Sequence, residues 1–278
     1  MSYLAESHIE QAALEILSSL GYETLFGPDI APDGKSPERA SYSEVVLKER
    51  LARAVERLNP TIPKEAQEEA VKKILRISGP NLIENNKEFH KYLTEGVSID
   101  YRKGENIKSD IVKIVDFDNP EKNEFLAVNQ YTVIEGEHNR RPDIVIFING
   151  LPVAVIELKN PAEEKATIWN AFNQLQTYKQ EIPSLFTTNE VLVISDGTEA
   201  RTGSLTSSRE WFMAWKTISG QALAPASEPQ LKILLLGMFD KQRLLDIINN
   251  FIVFRESGET TSKIIAAYHQ YHTTNKAV

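Results

Sequence analysis

At 278 residues, 41% hydrophobic and 25% charged, the chain suffices for one large globular domain or two modest ones, with no apolar run near the roughly 18 residues of a membrane span and no secretory signal. The absence of cysteine excludes disulfides and thiolate metal sites and leaves a cytoplasmic location as the default expectation. A net charge of −8 argues against a strong autonomous grip on nucleic acid, though not against chemistry that gathers carboxylates around a cation.

Ser7-His8-Ile9-Glu10 reads as a capping box opening a helix. Its apolar face is Ile9, Ala13, Ile16, Leu17 and Leu20, and Gly21 ends it. A loop rich in Pro, Gly and Asp follows over residues 27–37. Amphipathic helices are expected over 43–58, stopped by Asn59-Pro60, then over 63–77 and 86–94. The period then changes. Residues 97–101, 110–117 and 125–134 alternate or run apolar, as strands do. Asp143-Ile-Val-Ile-Phe-Ile148, the hairpin signal Asn149-Gly150 and the return run Pro152-Val-Ala-Val-Ile-Glu-Leu-Lys159 form a β-hairpin. A helix over 167–180 and a buried strand over 190–195 come next. Residues 221–229 read as a linker, followed by apolar helices over 231–238 and 244–254 and a last helix from about Thr261. The expected fold class is α/β, a mixed central β-sheet flanked by helices, with an N-terminal helical segment and a C-terminal helical extension.

The chemistry concentrates at Arg141-Pro142-Asp143 and Glu157-Leu158-Lys159. Strand residues two apart share a face, so Glu157 and Lys159 project together, and Asp143 opens the neighbouring strand. Two carboxylates at close range repel and call for a cation, and hard oxygen ligands suit Mg²⁺. A lysine beside them can orient a water and neutralise developing charge, which adds up to metal-assisted phosphodiester hydrolysis. A turn aspartate and an exposed strand-end pair would also fit the bare letters. Against that, the charges end a run that is apolar on both faces, where unpaired charge is costly. The register resists: a strict two-residue turn pairs Asp143 with Ile156, so convergence with Glu157 needs a bulge or a longer turn, placed near Leu151-Pro152. In the next helix Gln174 and Tyr178 lie four apart and share a face.

The order Pro142-Asp143, Glu157-Leu158-Lys159, Gln174-x-x-x-Tyr178 resembles the RecB-like branch of the restriction-nuclease (PD-(D/E)XK) superfamily. The wider text resembles the motor subunit (HsdR) of type I restriction–modification enzymes. It does so at Glu6-Ser-His-Ile-Glu10, Leu20-Gly-Tyr22, Arg57-Leu-Asn-Pro60, Val128-Asn-Gln130, the 143–160 block, Ser195-Asp-Gly197 and Ala267-Tyr-His-Gln-Tyr-His272. The resemblance implies a restriction-endonuclease-like core. It makes Asp143, Glu157 and Lys159 catalytic, with Asp143, Glu157 and the Leu158 carbonyl as Mg²⁺ ligands. Lys159 would position the attacking water, and Gln174, Tyr178 and Arg141 would be accessory or DNA-contacting. Glu10 matches a first-helix acid that some members add to the metal shell, with Glu6 as the weaker alternative. Residues 1–220 would be the nuclease domain and 221–278 a linker and the start of a helicase-like motor domain. The implied partners are double-stranded DNA and the specificity and methyltransferase subunits, with no membrane.

ATP belongs, by the same resemblance, outside these residues. Gly34-Lys35-Ser36 lacks the phosphate loop's earlier glycine, Asp29 standing in its place, and is crowded by Pro28, Pro32 and Pro37. The five histidines show no zinc spacing. Arg140, Arg141, Lys35, Arg39, Lys165, Lys179 and Arg201 offer a phosphate-contacting rim, although scattered cations are also ordinary solvated surface. Two alternatives stand beside an endonuclease that cuts when its motor stalls. One is a free-standing RecB-like exonuclease or resolvase, which the helices after 231 argue against. The other is a non-catalytic assembly module, which an intact Asp143, Glu157 and Lys159 argues against.

Overall fold

The hydrophobic runs of the middle third pair into one sheet. The computed structural model describes residues 2–160, 167–258 and 260–277, with side chains except at 1–5 and 103. In chain order come α1 (Ser2–Ser19), β1 (Glu23–Phe26), α2 (Lys48–Leu58), α3 (Lys64–Leu75), α4 (Leu82–Glu95), β2 (Val97–Lys103), β3 (Asn106–Val112), β4 (Phe125–Asn129), β5 (Val133–Glu135), β6 (His138–Arg140), β7 (Ile144–Ile148) and β8 (Leu151–Leu158). Then follow α5 (Ile168–Glu181), α6 (Ser184–Thr187), β9 (Val191–Ser195), β10 (Ala200–Gly203), α7 (Gln230–Met238), α8 (Lys241–Asn250), β11 (Ile252–Ser257), β12 (Thr260–Ile265) and α9 (Tyr268–Ala277). The fold is α/β. Its central sheet has the order β1-β4-β7-β8-β9-β10 and is mixed, with β1–β4 and β8–β9 parallel and the other pairs antiparallel. The flanking two-stranded ribbons are β2–β3, β5–β6 and β11–β12.

Every residue of β7, β8 and β9 is buried, as expected of β-branched strands covered on both faces. Helix α1 packs on β1, β4 and β8, and α5 on β8 and β9. The turn between β7 and β8 is pinned. Asn149 and Gly150 both adopt positive φ, 52° and 82°, as a two-residue hairpin turn demands. The Gly150 carbonyl accepts from Leu47 N at 2.9 Å, and a Cβ at Gly150 would lie 2.5 Å from the Leu47 carbonyl oxygen. Arg50 of α2 holds that corner from the other side, paired with Glu23 (2.9 Å), Glu38 (2.5 Å) and Glu124 (2.6 Å).

Three local expectations change. Helix α1 begins at Ser2, so Ser7 and Glu10 lie inside it and form no capping box. The 125–134 run is two strands, broken where Gln130 takes a left-handed φ of 56°. The expected helix over 244–254 ends at Asn250, and the segment from Thr261 is β12 followed by α9. A β-branched run (Thr260, Thr261, Ile264, Ile265) opposite Ile252–Ser257, with Gly258 at a φ of 60° in the turn, favours a hairpin there. Residues 221–229 are largely exposed. After them Leu231, Leu234, Leu245 and Ile248 join the same apolar core as Ala13, Leu17 and Ile194. No helix among the described residues is long and apolar enough to cross a membrane.

Candidate active site

The hairpin keeps its strict turn and adds a bulge. Ile148 pairs with Leu151 and Phe147 with Pro152, but Ile146 pairs with Ala154, leaving Val153 as the extra residue on β8. From there the register runs Val145 to Val155 and Ile144 to Ile156, so the next pair in line is Asp143 and Glu157. The one-residue shift that the sequence requires is thus present, two residues past the turn. It carries Asp143 to the end of β8, where its Oδ2 accepts from Leu158 N at 2.7 Å.

Glu157 is 1% exposed, and its Oε1 accepts from Lys159 Nζ at 3.0 Å. Its Oε2 is buried with no hydrogen-bond partner among the described residues. Burial pushes the Asp143 carboxyl up to about 7, against the pull of the Leu158 N–H and Lys159. Burial, then the neighbouring Asp143, pushes Glu157 well above the usual carboxylate range. For Lys159, burial favours the neutral amine, but Glu157 and Asp143 outweigh it and hold the proton. Glu6 of α1 reaches the same ammonium at 3.8 Å. Among the described residues the centre therefore gathers three acids, Asp143, Glu157 and Glu6, around one ammonium, and it holds a buried carboxylate oxygen without a partner.

On α5, Tyr178 is buried and Gln174 half-buried, and the Gln174 amide donates to the Tyr178 hydroxyl. Burial, then the neighbouring Glu157 and Asp143, raises the Tyr178 pKa. Arg141 is exposed. With Arg140, Asn173, Gln174 and Tyr178 it lines an open cleft of about 390 Å³ on that side. Glu10 is engaged elsewhere: its carboxylate accepts from Asn129 Nδ2 at 2.7 Å and from the Gln130 amide. Gln130 N in turn donates to the Asp143 carbonyl at 2.9 Å. Among the described residues no three Asp, Glu or His side chains form a ready metal cluster. Sequence reasoning passed over Asn129 and Gln130 as site-supporting residues. Gln130 falls inside the run expected as one strand, and a non-glycine at positive φ there has no sequence signature of its own.

The basic rim is mostly occupied internally. Arg39 is 5% exposed, donates to the Thr132 carbonyl at 2.6 Å and stacks 4.0 Å from the Tyr131 ring. Arg140 pairs with Glu181, Arg201 with Glu199 and Lys35 with Asp29. Lys179 donates to the Leu205 carbonyl at 2.9 Å, and burial lowers its pKa to about 8. Lys165 lies outside the described residues. The Gly34-Lys35-Ser36 stretch closes tight turns, with Ser36 N donating to the Asp29 carbonyl at 2.8 Å.

The family described as Type I restriction enzyme R protein N terminus matches residues 3–211. The type I restriction enzyme HindI endonuclease subunit of Haemophilus influenzae is 40% identical over 279 residues, covering 99% of this chain and 26% of that protein. A Methanocaldococcus jannaschii protein with the provisional name type I restriction enzyme MjaIXP endonuclease subunit is 34% identical over 289 residues, covering 97% of this chain and 27% of that protein. The EcoprrI endonuclease subunit of Escherichia coli is 30% identical over 155 residues, 52% of this chain and 47% of that protein. The chain spans about a quarter of the length of the first two.

Proposed function

Because the chain belongs to the type I restriction enzyme R protein N-terminus family, we propose that it is the DNA-cutting module of such an enzyme, a Mg²⁺-dependent endonuclease with a PD-(D/E)XK core. The observation that carries this reading is the meeting of Asp143, Glu157 and Lys159 at the ends of β7 and β8, with Glu157 Oε2 buried and unbonded. That orphaned oxygen, next to a second carboxylate raised by burial, fits a hard divalent cation. Mg²⁺ is commonly held by one or two carboxylates with water completing its shell. Asp143, Glu157 and the Leu158 carbonyl would hold it. When bound, the ion supplies polarisation of the phosphate and a more acidic water.

The chain's own groups supply the rest. Lys159 carries a proton held by two carboxylates. It is placed to orient the attacking water and to balance charge that develops on the phosphate oxygens. Tyr178, bonded to Gln174, closes the α5 side of the centre and limits bulk water. Arg141 offers an exposed guanidinium at the cleft mouth for a DNA phosphate. In the assembled enzyme, the specificity and methyltransferase subunits would choose the site, and an ATP-driven motor outside these residues would trigger cutting by stalling.

Asp143→Ala, Glu157→Ala and Lys159→Ala should each abolish strand breakage by orders of magnitude while sparing ATP hydrolysis and translocation in the full-length assembly. Lys159→Arg should fail as well, since a planar, always-charged guanidinium does not replace a compact ammonium. ATPase rate and strand breaks are measured on the same plasmid. Near wild-type cutting by the alanine variants refutes the site. Concurrent loss of ATPase refutes the separation of cutting from the motor.

A further inference from the structure

Helix α5 reads IWNAFNQLQTYKQE, with no acidic residue before Glu181, in a chain that has 39 Asp and Glu. Asn170, Asn173, Gln174 and Thr177 fall at i, i+3, i+4 and i+7 and make an uncharged amide and hydroxyl stripe along one side. Asn173, Gln174 and Thr177 of the stripe line the cleft together with Arg141 and Tyr178. Beside Asn173, on the side of the N-terminal half of α5, is Arg209, exposed, on the short 3-10 turn Arg209–Trp211. Its Nη2 donates to Asn173 Oδ1 at 2.7 Å. Its guanidinium lies 5.7 Å from the Trp169 ring centre and 5.6 Å from that of Phe172. Arg201 lies 5.3 Å from the same Trp169 ring but is paired with Glu199. Arg209 has no carboxylate partner among the described residues, and the adjacent Glu210 is exposed.

We propose that this stripe is the seat of a DNA backbone: duplex DNA lies along α5 from Arg209, over Asn173 and Gln174, to Arg141, and is thereby led to the Asp143–Glu157 centre. The inference rests on the nuclease reading and gives it a direction and a specific set of contacts. Most cations near the centre are paired with carboxylates or buried; among the described residues Arg141 and Arg209 are exposed and pair with no carboxylate. Arg209 is also pre-ordered by stacking on Trp169 and by its bond to Asn173, so little side-chain freedom is lost when it meets a phosphate. Uncharged amides and hydroxyls between two arginines suit phosphate oxygens and sugar, the groups that fix register on a duplex. From Trp169 to Tyr178 the helix rises about 14 Å, roughly four base-pair steps. An acidic peptide is the competing occupant, and the test separates the two.

The test measures binding of the 278-residue chain to a fluorescent duplex with EDTA present, in about 50 mM salt and upward, because phosphate contacts are read best at low ionic strength. Arg209→Glu should weaken binding about tenfold. Arg209→Gln should lower the slope of log affinity against log salt by about one contact's worth. Arg209→Lys should retain most of the affinity. Lys64→Glu, the same charge change on exposed α3, should shift binding less than twofold. The seat is overturned if the wild-type chain holds no duplex at low salt, if Arg209→Glu behaves like Lys64→Glu, or if polyglutamate competes as well as DNA at equal charge. Asp143→Ala separates the two levels, since it should bind like wild type in EDTA and yet not cut in Mg²⁺. Normal cutting by Asp143→Ala sinks the Asp143–Glu157 centre as the place of cutting and leaves the seat standing. An unchanged Arg209→Glu beside an inactive Asp143→Ala does the reverse.

Discussion

Two lysine–glutamate pairs with a buried glutamate stand at β8 and β12, and they behave in opposite ways. Lys263 and Glu190 meet at 2.6 Å with both side chains fully buried. The Lys263 ammonium also donates to Asn86 Oδ1 at 2.9 Å and to the Asn189 carbonyl at 2.7 Å, which uses all three of its protons. Glu190 takes a second contact from His90 at 2.9 Å. Burial alone would raise Glu190, but Lys263 and His90 overcome it and hold the carboxylate below its usual range. Lys159 and Glu157 meet at 3.0 Å with the glutamate buried and the lysine partly exposed, and there Glu157 is driven up. Each glutamate leaves one oxygen unbonded, Oε1 of Glu190 and Oε2 of Glu157, so the orphan alone does not separate them. The balance of charge does. Around Glu190 cations match or exceed anions; around Lys159 one ammonium faces Asp143, Glu157 and Glu6. Burial of charge is thus compatible with scaffold, whereas a buried surplus of acids over bases is what the proposed Mg²⁺ would balance.

Removing one charge from each pair should separate them most sharply. Lys263→Met strands Glu190 in the core and unties β12 from α4 and β9. Breaking a buried pair from one side costs about 3–5 kcal/mol, equivalent to a fall of about 10 °C in thermal midpoint for a chain of this size. Glu157→Gln removes a repelled charge, keeps an oxygen for Lys159, and should raise the midpoint when no divalent ion is present. The check is a pair of melting curves in EDTA near pH 8. Midpoints that move in the same direction would break the contrast.

How much of this was legible in the sequence differs between the two places. Around the candidate site the residue types, their spacing and even the need for an extra residue in the hairpin follow from counting along two strands. The bulge lies at Val153 rather than at Leu151-Pro152 because α2 pins the turn itself through Leu47 and Gly150, a contact between segments a hundred residues apart. The helix expected over 167–180 is α5 within a residue at each end, since a long amphipathic period is the most robust of local signals. Lys263 gave no such signal. It sits in a short β-branched run inside the helix expected from about Thr261, and nothing local says that its ammonium turns inward to Asn86 and Glu190. Glu10 misled in the opposite sense. Ser-x-x-Glu is a capping box only at a helix start, and α1 begins five residues earlier, which frees Glu10 to bond Asn129 and Gln130.

Acidity should sharpen the same contrast at a middling scale. Asp143 titrates near 7 in the fold and near 3.9 in an unfolded chain. A group raised on folding contributes stability that is complete below the unfolded value and lost as pH climbs through the folded one. The candidate site should therefore cost the fold stability between about pH 4 and 7. Glu190, lowered on folding, contributes stability above its unfolded value near 4.3 that is lost as pH falls through its lower folded value. Thermal midpoints of wild type and Asp143→Asn, taken from pH 5 to 8 in EDTA, should show the downward trend flatten in the variant. Added Mg²⁺ should raise the wild-type midpoint more at pH 8 than at pH 5, because protons and the ion compete for the same oxygens. A Mg²⁺ effect that is equal at both pH values would place the ion away from Asp143.

The smallest expected effect distinguishes the two acids of α1. Glu6 is about one-third exposed and 3.8 Å from Lys159, a geometry that contributes less than about 1 kcal/mol. Glu6→Gln should leave the midpoint nearly unchanged and the Mg²⁺ concentration for half-maximal cutting within about twofold. Glu10 touches no site carboxylate directly and acts through the backbone. It holds the side chains of Asn129 and Gln130, and Gln130, at a φ of 56°, donates its N–H to the Asp143 carbonyl. A non-glycine in that conformation costs about 1 kcal/mol or more and persists only when its surroundings fix it. Glu10→Ala should therefore lower the midpoint by a few degrees and raise the Mg²⁺ requirement several-fold through a less well-placed Asp143. Glu10→Gln decides between brace and ligand. A brace keeps one acceptor for Asn129 or Gln130 in that variant, so the Mg²⁺ requirement should fall between wild type and Glu10→Ala. A metal ligand loses its charge in both variants, and equal Mg²⁺ requirements for Glu10→Gln and Glu10→Ala, at an unchanged midpoint, would move Glu10 into the ion's own shell.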